Sequence, residues 1–421
     1  MRPLHRLRFS GSLVLFAGLQ LLRAAGPYSA GFDDPTNAYD APVPGFVGPQ
    51  GDGNPAVGNV VNPLFFGWAD RVVTYAPTAD VAGGEWAVPE RALGPVTGNH
   101  FDVVSLGELE AEGPPGSITL GFDEPIRNFS GADFVVFENA FGSRTSVFAE
   151  LAYVEVSSDG VHFARFPSVS LTAHPVPNWG NLDPRNVFGL AGKHVNAYGR
   201  SWGTPFDLEA LSGDPLVQRG DVDLNGIRYI RLIDIPGSGA FLDSEGRPIY
   251  DAYETFGSGG FDLEAVGVIS RAMTFDTWAA QQLPAGLEGP EDDAREDGVP
   301  NLLAYALGRP GNLPGPRATL SLAPGGVFSF TRDERTVDLL VEVQMHHDLT
   351  QPDAWVTVAG SIGGAALQAA EGFEGLRIEE RPASAIASVG VLREVAVSFE
   401  VPPPGLTVFR VRVTRLEEAA E

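Results

Sequence analysis

Residues 131–172 carry the pattern that most constrains this chain. Two apolar runs, 133–138 and 148–156, are followed by a third, 161–169, which is reached through Ser157-Ser158-Asp159-Gly160. Val, Phe and Tyr suit a half-buried pleated surface. Ser-Ser-Asp-Gly supplies the local hydrogen bonds and the positive-φ position that a tight hairpin needs. The stretch reads as the central meander of a β-sandwich. Similar runs recur at 102–106, 117–122, 226–235 and 261–269. In the third of these, Ile227, Tyr229, Arg231 and Ile233 alternate with Arg228, Ile230, Leu232 and Asp234. The 51 Gly and 34 Pro punctuate such runs, as expected of an all-β chain rich in turns.

The chain is long enough for more than one core. Residues 1–25 begin with Arg2, Arg6 and Arg8, continue through the apolar 13–22, and end in small residues. That pattern predicts a secretory leader and is too short for a permanent membrane span. Residues 26–272 then read as a jelly-roll-like β-sandwich, 273–317 as a helix and acidic-loop linker, and 318–416 as a smaller β-sandwich. The linker predicts a helix over 274–283, with Thr274 as N-cap and Phe275 and Trp278 on one face. A second short helix is expected over 301–307. Residues 173–226 interrupt the strand rhythm with Trp, Tyr, Asn and Gly, and 206–211 reads as a short helix.

The formal net charge is −26, with 54 acidic residues. Such a surface repels nucleic acid and anionic membrane and attracts divalent cations. There is no Cys, which excludes disulfides, thiolate metal sites and Cys nucleophiles. Lys193 is the single lysine against many arginines, a bias that reads as base composition. No His-Glu-x-x-His, Gly-x-Ser-x-Gly, P-loop or dinucleotide fingerprint is present.

Three groups of residues are candidates for function. Glu138 and Asn139 end an apolar strand, so they anchor a loop or line a ligand site. Trp179, Tyr198 and Trp202 lie in the aromatic insertion. Exposed, they would stack on sugar faces; buried, they would form a satellite core beneath a long loop. Asp221, Asp223 and Asn225 match the start of a calcium loop. They read either as a turn into the next strand or as a jelly-roll calcium site completed by a distant carboxylate. Asp243, Asp251, Asp262 and Glu264 are the possible partners, because loop ends converge in a sandwich.

At FVVFENAF, FAELAYVEVSSDGVHFARFPSVSL, TPFDLEAL, VDLNGIRYIRLID and GGFDLEAVGVI, the stretch of roughly 70–270 resembles a family of bacterial secreted cell-surface proteins. Some members carry PEP-CTERM-type sorting tails. The resemblance implies a surface or matrix location and no reaction; Arg415–Glu421 shows no sorting tripeptide. Residues 274–416 resemble a C-terminal unit of secreted bacterial proteins, in which a short helix and a D-x-D-x-D-G-x-P-N-x-x-E-Y-x-L-G loop precede a small sandwich. Here Asp293, Asp297 and Asn301 keep ligand positions, while Arg295 and Ala304 replace two acids. The loop shape is expected to persist without tight calcium.

The expectation is therefore a secreted or cell-surface, non-catalytic binding or structural protein. Carbohydrate and Ca2+ are its candidate ligands, and extracellular polysaccharide or matrix its candidate partner. The alternative is a secreted polysaccharide hydrolase using Glu138 with Asp234 or Asp262 as paired carboxylates.

Overall fold

The computed structural model describes residues 28, 40–48, 58–108, 113–143, 145–311, 320–323, 326–351, 353–401 and 407–416. The expected leader, 1–25, lies outside them, as do 312–317 of the linker and the first two residues, 318–319, of the expected smaller sandwich. Among the described residues the chain forms several small antiparallel sheets with a few short helices between them.

In the first region, one sheet runs in the order Val43–Pro44, Trp202–Phe206, Phe134–Glu138, Asp262–Val268, Gly67–Trp68, and Val104–Ser105 also pairs with Asp262–Val268. The other runs Ala164–Arg165, Leu151–Ser157, Ile227–Ile235, Ser117–Ile126, Arg71–Ala76. Both sheets feed one core. Phe134 and Val136 meet Ile118, Leu120, Val154, Ile230 and Leu232 there. The next residues along, Val135 and Phe137, belong to a second cluster with Val43, Phe65, Ala265 and Val391. Covered on both faces, this strand has no reason to alternate, which explains why it reads as an unbroken apolar run. Phe134 is fully buried, so Phe134→Ala would cost about 3–5 kcal/mol.

The hairpin after Leu151–Ser157 has the expected chemistry. Ser157 Oγ accepts from Gly160 N at 2.8 Å, and Asp159 Oδ1 accepts from Val161 N at 2.8 Å and His162 N at 2.9 Å. Gly160 takes φ 78°. The expected third strand is shorter than its apolar pattern: only Ala164–Arg165 and Val169–Ser170 pair. Asp159 binds two amides that would otherwise serve a ladder.

The insertion is not free of strands. Trp202–Phe206 sits inside the first sheet, with Thr204 opposite Val136. Gly203 and Pro205 conceal its alternation. Val43–Pro44 covers only Gly203 and Trp202, so at Pro205 this flank is an edge, where a missing N–H is tolerated.

In the second region, Ser321–Ala323, Val327–Asp333, Leu392–Phe399 and Leu376–Pro382 form one sheet; Gln368–Ala369, Val356–Ile362, Leu339–His346 and Val408–Arg415 form the other. Thr274 caps Phe275–Gln282 by accepting from Thr277 N. Phe275, Trp278 and Tyr305 (the last from Asn301–Ala306) enter the same core as Phe330, Val343 and Val395. The two helices therefore pack as part of this body.

Candidate functional site

Antiparallel pairing gathers acids at one end of the first region. Leu263 lies opposite Glu138, and Ala152 lies opposite Asp234. Glu138 thus ends its strand, Glu150 precedes Leu151–Ser157, Asp234 is next to last in Ile227–Ile235, and Asp262 opens Asp262–Val268. Asp251 and Glu108 come from loops: Asp251 Oδ2 accepts from Leu151 N at 2.7 Å, and Glu108 Oε2 from Thr255 N at 3.1 Å. All six carboxyl residues are buried.

Burial is the first cause of their altered acidity. It pushes Asp262 up to about 7, against the hydroxyls of Ser105 and Ser258 and the Asn139 amide. It drives Glu138, Glu150, Asp234 and Asp251 well above the carboxylate range and raises Glu108. Neighbouring carboxylates reinforce the effect: Asp262 and Asp251 act on Glu138, and Glu108 and Asp262 on Asp234. Among the described ion pairs, none includes any of the six.

Two details expose a deficit of positive charge. Thr255 Oγ1 lies 2.8 Å from Glu108 Oε2 and 2.7 Å from Glu150 Oε1. One hydroxyl has a single proton to donate, so two ionised carboxylates there require a further proton or a cation. Asp234 Oδ2 and Asp262 Oδ1 are buried without a hydrogen-bond partner, although a buried polar atom left unbonded costs about 1–3 kcal/mol, and more when charged. Among the described residues, no three His, Asp or Glu side chains already stand at metal-coordinating separation.

A strip of aromatic rings covers this end. Phe148 stacks on Trp179 at 5.5 Å and on Phe141 at 4.8 Å. Phe141 meets Tyr198 edge-on at 5.5 Å, Tyr198 meets His100 at 4.5 Å, and His100 meets Phe101 at 4.1 Å. Trp86 closes the strip beside Phe101 at 6.3 Å. Phe101, Trp179 and Tyr198 are 60%, 60% and 69% exposed, so all three reach solvent. Asn139 ties strip to acids, since its Nδ2 donates to the His100 carbonyl and to Asp262 Oδ2, each at 3.2 Å.

Trp179 and Tyr198 hold φ at 58° and 55°. A left-handed backbone costs a bulky residue on the order of 1–2 kcal/mol. Both are nonetheless held there with the ring outward. Ala140 O fixes the loop before Tyr198 by accepting from Asn196 N and Ala197 N, both at 3.1 Å.

Of the residues singled out by sequence, Glu138, Asn139 and Asp262 come together, and Trp179 and Tyr198 lie above them. Trp202 does not join them. It is buried against Leu151, Tyr153 and Val195, because its strand carries it into the sheet. Asp221, Asp223 and Asn225 lie at the other end of Ile227–Ile235 from Asp234, about 20 Å away at the rise of a strand. There Asp223 caps the turn by accepting from Asn225 N at 2.9 Å, and Asp221 pairs with Arg219 at 3.0 Å. In the second region, Asp293 Oδ2 accepts from Gly298 N at 2.6 Å, and Arg309 donates to Asp297 Oδ2 at 2.6 Å. Arg309 and Arg295 thus bring positive charge to Asp297.

Sequence reasoning missed Glu150 and the role of Glu108. The signal for Glu150 was present: an acid inside the apolar run 148–156. The rings of Trp86, His100, Phe101, Phe141 and Phe148 were missed because they converge only in three dimensions. No protein-family model matches this chain, and no curated protein is significantly similar to it.

Proposed function

We propose that this is an exported, non-catalytic binding module of jelly-roll-like architecture, which holds neutral polysaccharide at a bacterial cell surface or in the surrounding matrix. The observation that carries the reading is the strip of rings from Trp86 through Tyr198 to Trp179, with three ring-bearing residues largely exposed. Sugar C–H faces stack on such rings, and a ribbon of rings a few ångströms apart suits an extended polymer better than a single small ligand. A net charge of −26 disfavours polyanions. The Arg-rich leader-like start accords with bacterial export.

Beneath the strip, a Ca2+ ion would serve as a brace. Glu138, Glu150, Asp234, Asp251 and Asp262 are oxygen donors of the type calcium takes. The unpartnered oxygens of Asp234 and Asp262 are the ones to turn onto it. The ion would supply the positive charge this end lacks and fix the loops that carry the rings. The hydrolase alternative has less support: Glu138 accepts from Ala140 N at 2.9 Å and Asp234 from Phe261 N at 2.8 Å, both below the surface.

Affinity electrophoresis of the full chain in gels containing neutral polysaccharides tests the reading. Retardation is expected with at least one polymer, and Tyr198→Ala and Trp179→Ala are each expected to weaken it about tenfold, roughly 1.4 kcal/mol. Unretarded migration in every polymer, with calcium present, would remove the polysaccharide reading.

A further inference from the structure

We propose that Lys193 and Asp40 become joined by an intramolecular amide between the Lys193 side-chain nitrogen and the Asp40 side-chain carboxyl. Lys193 is the chain's one lysine among 28 basic Lys and Arg residues. It is wholly buried and ranks among the largest such side chains. Its Nζ contacts Asp40 Oδ2 directly and donates to the Val187 carbonyl at 2.6 Å. Where other well-shielded acids form ion pairs, the partner is arginine, as in Arg332–Glu380 and Arg335–Asp333. A guanidinium stays protonated and is no nucleophile, whereas a buried amine sheds its proton readily. The single lysine thus stands where the chemistry separates the two cations.

The surroundings favour the reactive form. Asp40 and Lys193 are 3% and 0% exposed, and a dry site favours neutral acid and amine over the ion pair. Burial pushes Asp40 up to about 7, although Lys193 opposes the shift, and lowers Lys193. His194, the next residue, is held neutral chiefly by burial. Both reactants are also fixed in place. Asp40 precedes Val43–Pro44, which pairs with Trp202–Phe206. Lys193 follows Ala191, whose N–H donates to the Ala152 carbonyl at 3.1 Å. Such positioning replaces the entropy loss of a bimolecular encounter.

The step balances without a co-reactant. The neutral Nζ attacks Cγ of the protonated carboxyl, and the N–C bond forms. The C–OH bond breaks, and one amine proton leaves with the hydroxyl as water. No oxidant or reductant is needed. The bond would span 153 residues of sequence. It would lock a two-residue edge strand to the loop that carries Tyr198.

Intact-mass measurement of the full chain, with its N-terminus determined, is the test, paired with digestion of the denatured protein by a lysine-specific endoprotease. The expected result is a mass lower than calculated by one water and a chain left uncut, because an acylated lysine is not recognised. Asp40→Ala is expected to restore the full mass and to yield two fragments divided after Lys193. A wild-type chain of full mass, cut after Lys193, would overturn the proposal. So would a mass deficit that persists in Asp40→Ala.

Discussion

The acids at one end of the first region and those in the core of the second are compensated in opposite ways. In the second, the buried Asp333 and the partly buried Glu380 each meet an arginine. Arg335 Nε and Nη2 bind Asp333 at 2.9 and 2.7 Å, and its Nη1 donates to the Ile269 carbonyl at 3.1 Å across the boundary with the first region. Arg332 holds Glu380 with two bonds of 3.1 and 2.7 Å. Burial alone would raise Glu380, but Arg332 and the Leu367 amide outweigh it and lower its pKa. In the first region, Glu138, Glu150, Asp234, Asp251 and Asp262 have one another for neighbours, and their pKa values rise. The chain can satisfy buried carboxylates internally, and at one end it does not. That end also displays the aromatic strip. A buried carboxylate is costly when ionised and unpaired, and the proposed binding role rests on the coincidence of these acids with exposed rings.

The largest expected effect tests the compensated side. Arg335→Ala strands the buried Asp333 carboxylate and should lower unfolding free energy by about 3–5 kcal/mol, read from urea denaturation at neutral pH. A loss below about 1 kcal/mol would show that the pair is not essential and blur the contrast.

The pH response should differ in sign. The first-region acids have folded pKa values above their unfolded values, so between those values the folded state holds protons that the unfolded state has lost. Without a cation, their contribution falls as pH rises from about 4 through about 7, where Asp262 titrates; for that residue the loss is of order 4 kcal/mol. Glu380 behaves oppositely: its depressed pKa stabilises above the unfolded value and is lost as pH falls through the folded one. Hydrogen exchange resolved by segment should show Leu151–Ser157 better protected at pH 5 than at pH 8, while Val327–Asp333 weakens only on acidification. Parallel trends in both segments would break the comparison.

The smallest effect concerns the loop in which Arg295 and Arg309 pair with Asp297. Asp293→Ala removes the acceptor for Gly298 N and should cost about 1 kcal/mol. Melting of the second region should be the same in calcium and in EDTA. A calcium-dependent shift removed by this substitution would place an ion there after all.

Much of the scaffold was legible, because hairpin chemistry and apolar runs are local. Ser157-Ser158-Asp159-Gly160 and Thr274 act as their residue types suggest. Trp202 was not legible, since Gly203 and Pro205 interrupt the alternation that would have marked its strand. Of the strip, only Trp179 and Tyr198 were identified, through their position in the insertion. The others span 86 to 148 and meet through tertiary pairing. The acids were legible one at a time, as Glu138 at a strand end and Asp262 opening another. Their gathering was not, because it depends on the register that sets Leu263 opposite Glu138 and Ala152 opposite Asp234. Lys193 read as compositional accident until its burial against Asp40 was seen.

The most direct measurement is thermal melting of the full chain at pH 8 in calcium and in EDTA, for the wild type and for Asp262→Asn. With calcium a hundredfold above its Kd, the wild-type Tm is expected to rise by roughly 5–10 °C. In Asp262→Asn the rise should largely disappear, while stability in EDTA is equal to or above that of the wild type, because one repelling charge has gone. An identical wild-type Tm in calcium and in EDTA would contradict the claim that the buried acids of the first region are shaped for a cation.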